Sequence, residues 1–208
     1  MFEAVLIRLA DHGFTPTAIA ARLTYLSAPD AIQGALAAGI LGGGSRFLGV
    51  TEDTGRFIHD ALVGVDPLPT NEKGWDDLAV AAIRQRTEEH RLVPGLGHPV
   101  HKELDPRTRR IIDIAHQVDL YGPNLAFFEA VGRIHPLVLN KTLPLNGAGV
   151  SGAALADVGI PLELLRGTVL LARCAGLLGH IAEEIRNPIA NSIYMAVDRN
   201  AEYIEPTE

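Results

Sequence analysis

Apolar positions recur at helical spacing along most of this chain. Phe2, Val5, Leu6 and Leu9 share one face of a helix that Asp11-His12-Gly13 stops. Thr15-Pro16-Thr17 opens a second segment, with Ile19, Leu23 and Leu26 on one side. Pro29-Asp30 opens a third, rich in alanine (Ala31, Ala35, Ala37, Ala38), and Gly42-Gly43-Gly44 ends it. Its small residues let neighbours approach closely, so this helix is expected at the centre of the fold. Further helices are predicted over 52–64, 72–91, 106–118 and 123–139, from the end of the loop 144–149 through Asp157, and over 162–186. Asp66-Pro67-Leu68-Pro69 and Gly159-Ile160-Pro161 supply breaks. The tail from Asn187 reads as polar and peripheral. No stretch alternates at period two between hairpin turns. The pattern predicts an all-α fold of about nine helices, without internal repeats.

Composition narrows the function classes. Of 208 residues, 47% are hydrophobic and 21% charged, an ordinary globular balance. The formal net charge of −7, with no basic block, argues against a nucleic-acid partner. The one cysteine, Cys174, rules out an intrachain disulfide framework and fits a reducing compartment. Residues 1–5 carry neither a basic start nor a cleavage signature. Arg173, His180 and glycines interrupt the longest apolar runs, so no membrane partner is expected. A cytoplasmic protein follows as the expectation. The first helix starts on its apolar face without an N-cap, which leads us to expect that something upstream of it is missing or is supplied by a partner.

One stretch concentrates candidate chemistry: Val93-Pro94-Gly95-Leu96-Gly97-His98-Pro99-Val100-His101-Lys102, followed by Asp105-Pro106-Arg107. Gly95 and Gly97 can let a ligand lie against bare backbone. His98 can exchange a proton near neutral pH. Asp105 as N-cap and Pro106 at N1 place Arg107 at a helix start, where its fork suits a carboxylate or phosphate. Taken alone, the stretch reads as a glycine-rich surface loop with a solvated histidine. His98-x-x-His101 has no third ligand nearby in sequence, so no metal is expected. The glycines of 42–49, around Arg46 and Phe47, match neither nucleotide fingerprint and read as a flexible loop. Asp11-His12-Gly13 reads as a capping arrangement, and His180, Glu183 and Glu184 as a solvated patch. Arg173 interrupts an apolar helix, where a charge is costly unless paired. It is weighed as a salt bridge to Glu183 or Asp157, as a snorkelling rim residue, or as a buried anion site.

Three stretches in order carry a family resemblance: Ala10-Asp11-His12-Gly13, Pro94-Gly95-Leu96-Gly97-His98-Pro99-Val100 with Asp105-Pro106-Arg107, and Leu171-Ala172-Arg173-Cys174-Ala175-Gly176. Together they resemble the citrate synthase superfamily. Gly44-Ser45-Arg46-Phe47-Leu48-Gly49 is more similar to citryl-CoA lyases and the citryl-CoA lyase module of ATP-citrate lyase. The resemblance implies a two-domain helical fold, with a small domain at residues 50–150 and a large one built from 1–49 and 151–208. It also implies a homodimer. His98 and His12 match catalytic substrate contacts, and Arg107 and Arg173 match carboxylate-binding arginines. Arg186 matches an arginine that reaches the neighbouring subunit's site. Val93, Pro94, Gly95, Leu96 and Gly97 match the loop that meets CoA. The cleft would lie between His12 and Arg173 on one side and His98 and Arg107 on the other.

The implied activity is reversible cleavage of citryl-CoA to acetyl-CoA and oxaloacetate, with the CoA thioester as substrate and no permanently bound cofactor or metal. A citrate synthase-type acyltransferase joining an acyl-CoA to a 2-oxo acid is the alternative within the family. The family's catalytic aspartate falls in the run Leu145-Asn146-Gly147-Ala148-Gly149, where this chain carries Ala148. That departure keeps a catalytically inactive CoA- or dicarboxylate-binding homologue as an alternative, with a purely structural helical subunit as a further one.

Overall fold

The computed structural model describes residues 1–98, 101–103 and 105–206; Pro99, Val100, Leu104, Thr207 and Glu208 lie outside the described residues, and with them the Pro99-Val100 part of the loop motif. Among the described residues the chain is all-α. Its helices are α1 (Phe2–Leu9), α2 (Pro16–Ser27), α3 (Ile32–Leu41), α4 (Ser45–Leu48), α5 (Val50–Leu62), α6 (Glu72–Glu88), α7 (Pro106–Gln117), α8 (Pro123–Leu139), α9 (Gly147–Asp157), α10 (Leu162–Arg186) and α11 (Ala190–Asn200). Side-chain caps set several starts. Asn71 accepts from the Gly74 amide at α6, and Asn146 from the Gly149 amide at α9. At α7 the Asp105 side chain accepts from the Arg107 amide, with Pro106 in the first turn.

Two helices were not foreseen. α4 occupies the stretch expected to be a flexible loop: the Gly44 and Ser45 carbonyls accept from the Leu48 and Gly49 amides, each at 2.9 Å. α11 occupies the expected polar tail. Its first turn is satisfied from another helix, because Oε1 of Glu184 accepts from the Ile189 and Ala190 amides at 2.9 and 2.8 Å. α11 then packs against α2 and buries Ala190 completely.

The chain divides into two compact units. The first comprises Met1–Leu9 and Gly44–Ala172. At its centre is α9, not the alanine-rich α3. Gly147, Gly149 and every residue from Val150 to Leu155 are buried, and α1, α5, α7 and α8 all pack on it. The reason is size, since a helix of glycine and alanine can be approached from all sides. Phe57 of α5 and Phe127 of α8 meet beside it, ring centroids 5.8 Å apart. With Ile58, Ile83, Ile111 and Phe128 they form the core, each fully buried side chain contributing roughly 1.5–3 kcal/mol. The expected domain boundary at 150 would fall inside α9.

The end of α9 also finishes the start of α8. Asp157 Oδ2 accepts from the Gly122 and Leu125 amides at 3.1 and 3.0 Å, and Oδ1 from the amide and side chain of Asn124 at 2.9 and 2.8 Å. Asp157 thus caps α8.

The second unit comprises Ala10–Gly43 and the chain from Arg173 onward. α2 pairs with α3, and Ala18, Ala21 and Leu177 form a small core. Only Ala35 and Gly39 of α3 are buried, so this helix covers the unit and does not centre it. α10 carries the boundary between the units, at Ala172 and Arg173. The expectation that no apolar run reaches membrane-spanning length does not hold for α10, which spans 25 residues and is apolar enough to cross a bilayer by length and composition. Yet 44% of its most apolar window is buried within the protein, and Arg173 is buried in the same helix, the pattern of a core helix.

Candidate active site

In the first unit the glycine loop is tied to the segment before α9. The Gly97 amide donates to the Pro144 carbonyl at 2.8 Å, and the Asn146 amide to the Gly95 carbonyl at 2.9 Å. The Asn146 side chain donates to the Gly97 carbonyl at 2.8 Å. Leu96 and Leu145 form the antiparallel bridge. Gly95 and Gly97 have φ of 83° and 84°, a region costly for any residue with a Cβ. At Gly95 a Cβ would also lie 2.6 Å from the Phe128 ring. The loop is therefore held, and Val93 is buried beneath it.

His98 follows directly, with Arg107 beside it. Arg107 Nη2 is 2.9 Å from His98 Nε2 and 2.8 Å from Asp105 Oδ2, while Nε donates to Asp105 Oδ1 at 2.9 Å. Asp105 is completely buried and accepts also from the Gly147 amide at 2.7 Å. Burial alone would raise its pKa; the hydrogen bonds from Arg107 and Gly147 outweigh this and bring it down to about 2. Asp105 is accordingly ionised at neutral pH and acts as a clamp on Arg107. Its place as N-cap was legible in the sequence, but the bidentate grip on Arg107 was not. The only signal was the Asp-Pro-Arg spacing, which turns both side chains to the same side of the first turn.

Two donors face the His98 ring. The His101 amide donates to Nδ1 at 3.0 Å, and Arg107 faces Nε2. Amides and guanidinium groups only donate, and a neutral imidazole accepts at one nitrogen. The His101 amide and Arg107 thus hold the imidazole from both of its nitrogens, beside a guanidinium suited to a carboxylate. Lys102 Nζ, 3.2 Å from the His98 carbonyl, adds positive charge nearby. The His101 ring lies 4.6 Å from that of His98.

A third potential metal ligand does come close, contrary to the sequence expectation: donor atoms of His98, His101 and Asp105 lie within 4.8 Å of one another. The chemistry disfavours a cation there. Both Asp105 oxygens are already taken, and the Arg107 guanidinium occupies the space between the carboxylate and His98.

At the start of α9, Ala148 is half-buried, and its carbonyl accepts from the Thr51 hydroxyl at 3.0 Å. The nearby carboxylate, Asp105, is held as an ion by Arg107 and cannot readily donate a proton.

The second unit contains the other expected residues. His12 is exposed in the Asp11-His12-Gly13 turn, where Asp11 Oδ1 accepts from the Gly13 amide at 3.0 Å. Arg173 is buried on α10, and Arg186 is exposed in its last turn. A Cβ at Gly176, one turn after Arg173, would collide with the Ala10 carbonyl, so the chain entering the His12 turn runs against this face of α10. His180, Glu183 and Glu184 are not a solvated patch, because the buried Arg22 gathers all three. Arg22 was not singled out in the sequence. Its signal was a lone arginine amid the apolar face of α2.

Three comparisons with known proteins place these observations. The profile of the citrate synthase C-terminal domain matches residues 1–194. A citryl-CoA lyase structure from Hydrogenobacter thermophilus is 31% identical, with a TM-score of 0.81 over 99% of this chain and 76% of that one. Citrate synthase 2 of Bacillus subtilis is 27% identical over 187 residues, 89% of this chain and 47% of the relative. The ATP-citrate synthase beta chain protein 1 of Oryza sativa is 25% identical over 200 residues, 88% of this chain and 31% of the relative. The chain thus spans about a third to a half of the length of these two curated relatives.

Proposed function

The chain belongs to the citrate synthase C-terminal domain family, and from that membership we propose that it cleaves citryl-CoA reversibly to acetyl-CoA and oxaloacetate. The observation that carries the reading is the triad His98–Arg107–Asp105 on the held glycine loop. It offers a charge-assisted seat for a hydroxy-acid oxygen, with an imidazole at the same spot. Similarity to the citryl-CoA lyase structure supports the lyase reading, with a citrate synthase-type acyltransferase as the alternative within the family.

In the cleavage direction the tertiary hydroxyl gives its proton to His98, and the carbon–carbon bond breaks. Oxaloacetate leaves with a new carbonyl, and the thioester enolate takes up the proton that His98 accepted, directly or through water, to become acetyl-CoA. Arg107 binds a carboxylate in a fork already set by Asp105. His12, Arg173 and Arg186 supply further substrate contacts, and Val93 to Gly97 offer backbone to the CoA thioester. The reading includes a cytoplasmic homodimer. Leu164, Leu171, Leu178 and Ile185 support the dimer, forming an exposed apolar ladder at seven-residue spacing along α10. The lone Cys174 fits a reducing compartment.

Ala148 favours a second reading, a CoA- and dicarboxylate-binding protein without turnover. Purified protein mixed with citryl-CoA, or with acetyl-CoA and oxaloacetate, and followed by mass spectrometry separates the two. Product above a His98→Ala control in either direction supports the lyase. Binding of CoA and oxaloacetate by calorimetry with no product supports the second reading.

A further inference from the structure

Within the second unit, the turn that carries His12 is held by a chain of polar groups beginning at a buried arginine. Arg22 of α2 is completely buried. Its Nη1 donates to Glu184 at 2.7 Å, its Nη2 donates to Glu183, and its guanidinium lies 4.8 Å from the Phe14 ring centroid. The two glutamates together more than balance its charge. Yet Nε and Nη2 also point at Nδ1 of His180, at 3.4 and 3.2 Å. A guanidinium donates and never accepts, so Nδ1 is the acceptor and the hydrogen of the neutral ring sits on Nε2. Nε2 is 2.9 Å from Asp11 Oδ1, the same oxygen that accepts from the Gly13 amide. Phe14 meets the His180 ring edge to face at 5.5 Å and restricts its rotation.

We propose that His180 is a positioning residue for His12: Arg22 dictates which ring nitrogen carries hydrogen, that N–H fixes the Asp11 carboxylate, and the carboxylate fixes the turn presenting the His12 imidazole. Packing of α2 on α10 does not require this link, because Arg22 already joins the helices through Glu183 and Glu184. Asp11, by contrast, is largely exposed, and exposed carboxylates stay mobile unless held. Asp11 reflects the hold. Partial burial would raise its pKa, but the Gly13 amide and His180 keep it below the ordinary value. The binding consequence rests on the reading of His12 as a substrate contact; the tautomer and the turn do not.

The test compares the full chain with His180→Gln and His180→Leu. Glutamine keeps an acceptor toward Arg22 and a donor toward Asp11, whereas leucine keeps neither. Nitrogen-15 spectra of the imidazoles should show His180 in the Nε2–H form. Amide exchange at Gly13 should be slow in the parent and in His180→Gln, and about tenfold faster in His180→Leu, with amides inside α2 and α10 unchanged. Oxaloacetate binding by calorimetry should weaken about tenfold in His180→Leu and be restored in His180→Gln, the size expected for one lost charge-assisted contact. An Nδ1–H ring would overturn the proposal, as would Gly13 exchange no faster in His180→Leu than in the parent. Should His180→Leu fail to fold, the parent tautomer and the Gly13 exchange of His180→Gln still decide. If the parent binds no oxaloacetate, the substrate reading falls while the tautomer and the exchange still judge His180.

Discussion

Gly95 and Gly149 exclude each other's side chains. A Cβ on Gly149 would stand 2.5 Å from the Gly95 Cα, and a Cβ on Gly95 would stand 3.2 Å from the Gly149 Cα. The glycine loop and the first turn of α9 meet there, backbone on backbone. Gly149→Ala is expected to cost roughly 1–3 kcal/mol in urea unfolding, the range for overpacking a tight site. It should also lower CoA affinity, because the displaced loop is the proposed thioester seat.

Arg107→Lys keeps the charge but loses the two-pronged grip of Asp105 and the reach to His98. Oxaloacetate affinity should fall by roughly 10- to 100-fold, from about 1.5–3 kcal/mol of charged hydrogen bonding. Calorimetry reads this directly. Unchanged affinity would remove Arg107 from the proposed site.

Acid should loosen the same unit through Asp105. Its carboxyl titrates near 3.8 in an unfolded chain and at about 2 in the fold. A depressed folded pKa stabilises above the unfolded value and is lost as pH falls through the folded one. The contribution, about 2 kcal/mol, is therefore present above about pH 4 and declines toward pH 2. Urea unfolding should show Asp105→Asn less stable than the parent near pH 6, with most of the gap closed near pH 2.5.

Ala148→Asp tests the activity itself. The position lies in the first turn of α9, where a carboxylate also suits the helix dipole. If the chain is a lyase slowed by a missing acid/base, turnover of citryl-CoA should rise by about 100-fold or more. No gain, with the fold intact, would favour the binding-only reading.

Helices with their own capping signals were legible in the sequence. α2 and α7 begin where Pro16 and Pro106 place them, whereas α9 begins at Gly147 behind its Asn146 cap, inside the stretch expected as a loop. What depends on a distant residue was not. α11 starts on the Glu184 carboxylate, which no local pattern around Ile189 reveals. The centrality of α9 over α3 was also hidden, because both are rich in small residues and only tertiary packing separates them. For the site, the sequence nominated His98 and Arg107, and the fold brings them to 2.9 Å. The pairings that tune it, Asp105 with Arg107 and Arg22 with His180, join side chains whose distances only the fold sets.

The Asp157 carboxylate couples two helices in time as well as in space. It lies at the last turn of α9 yet accepts three backbone amides at the beginning of α8. Opening either end exposes the other, so the first turn of α8 and the last turn of α9 form one cooperative unit. Their amides should exchange at a common rate, and Asp157→Ala should speed both together while leaving the middle of α8 protected.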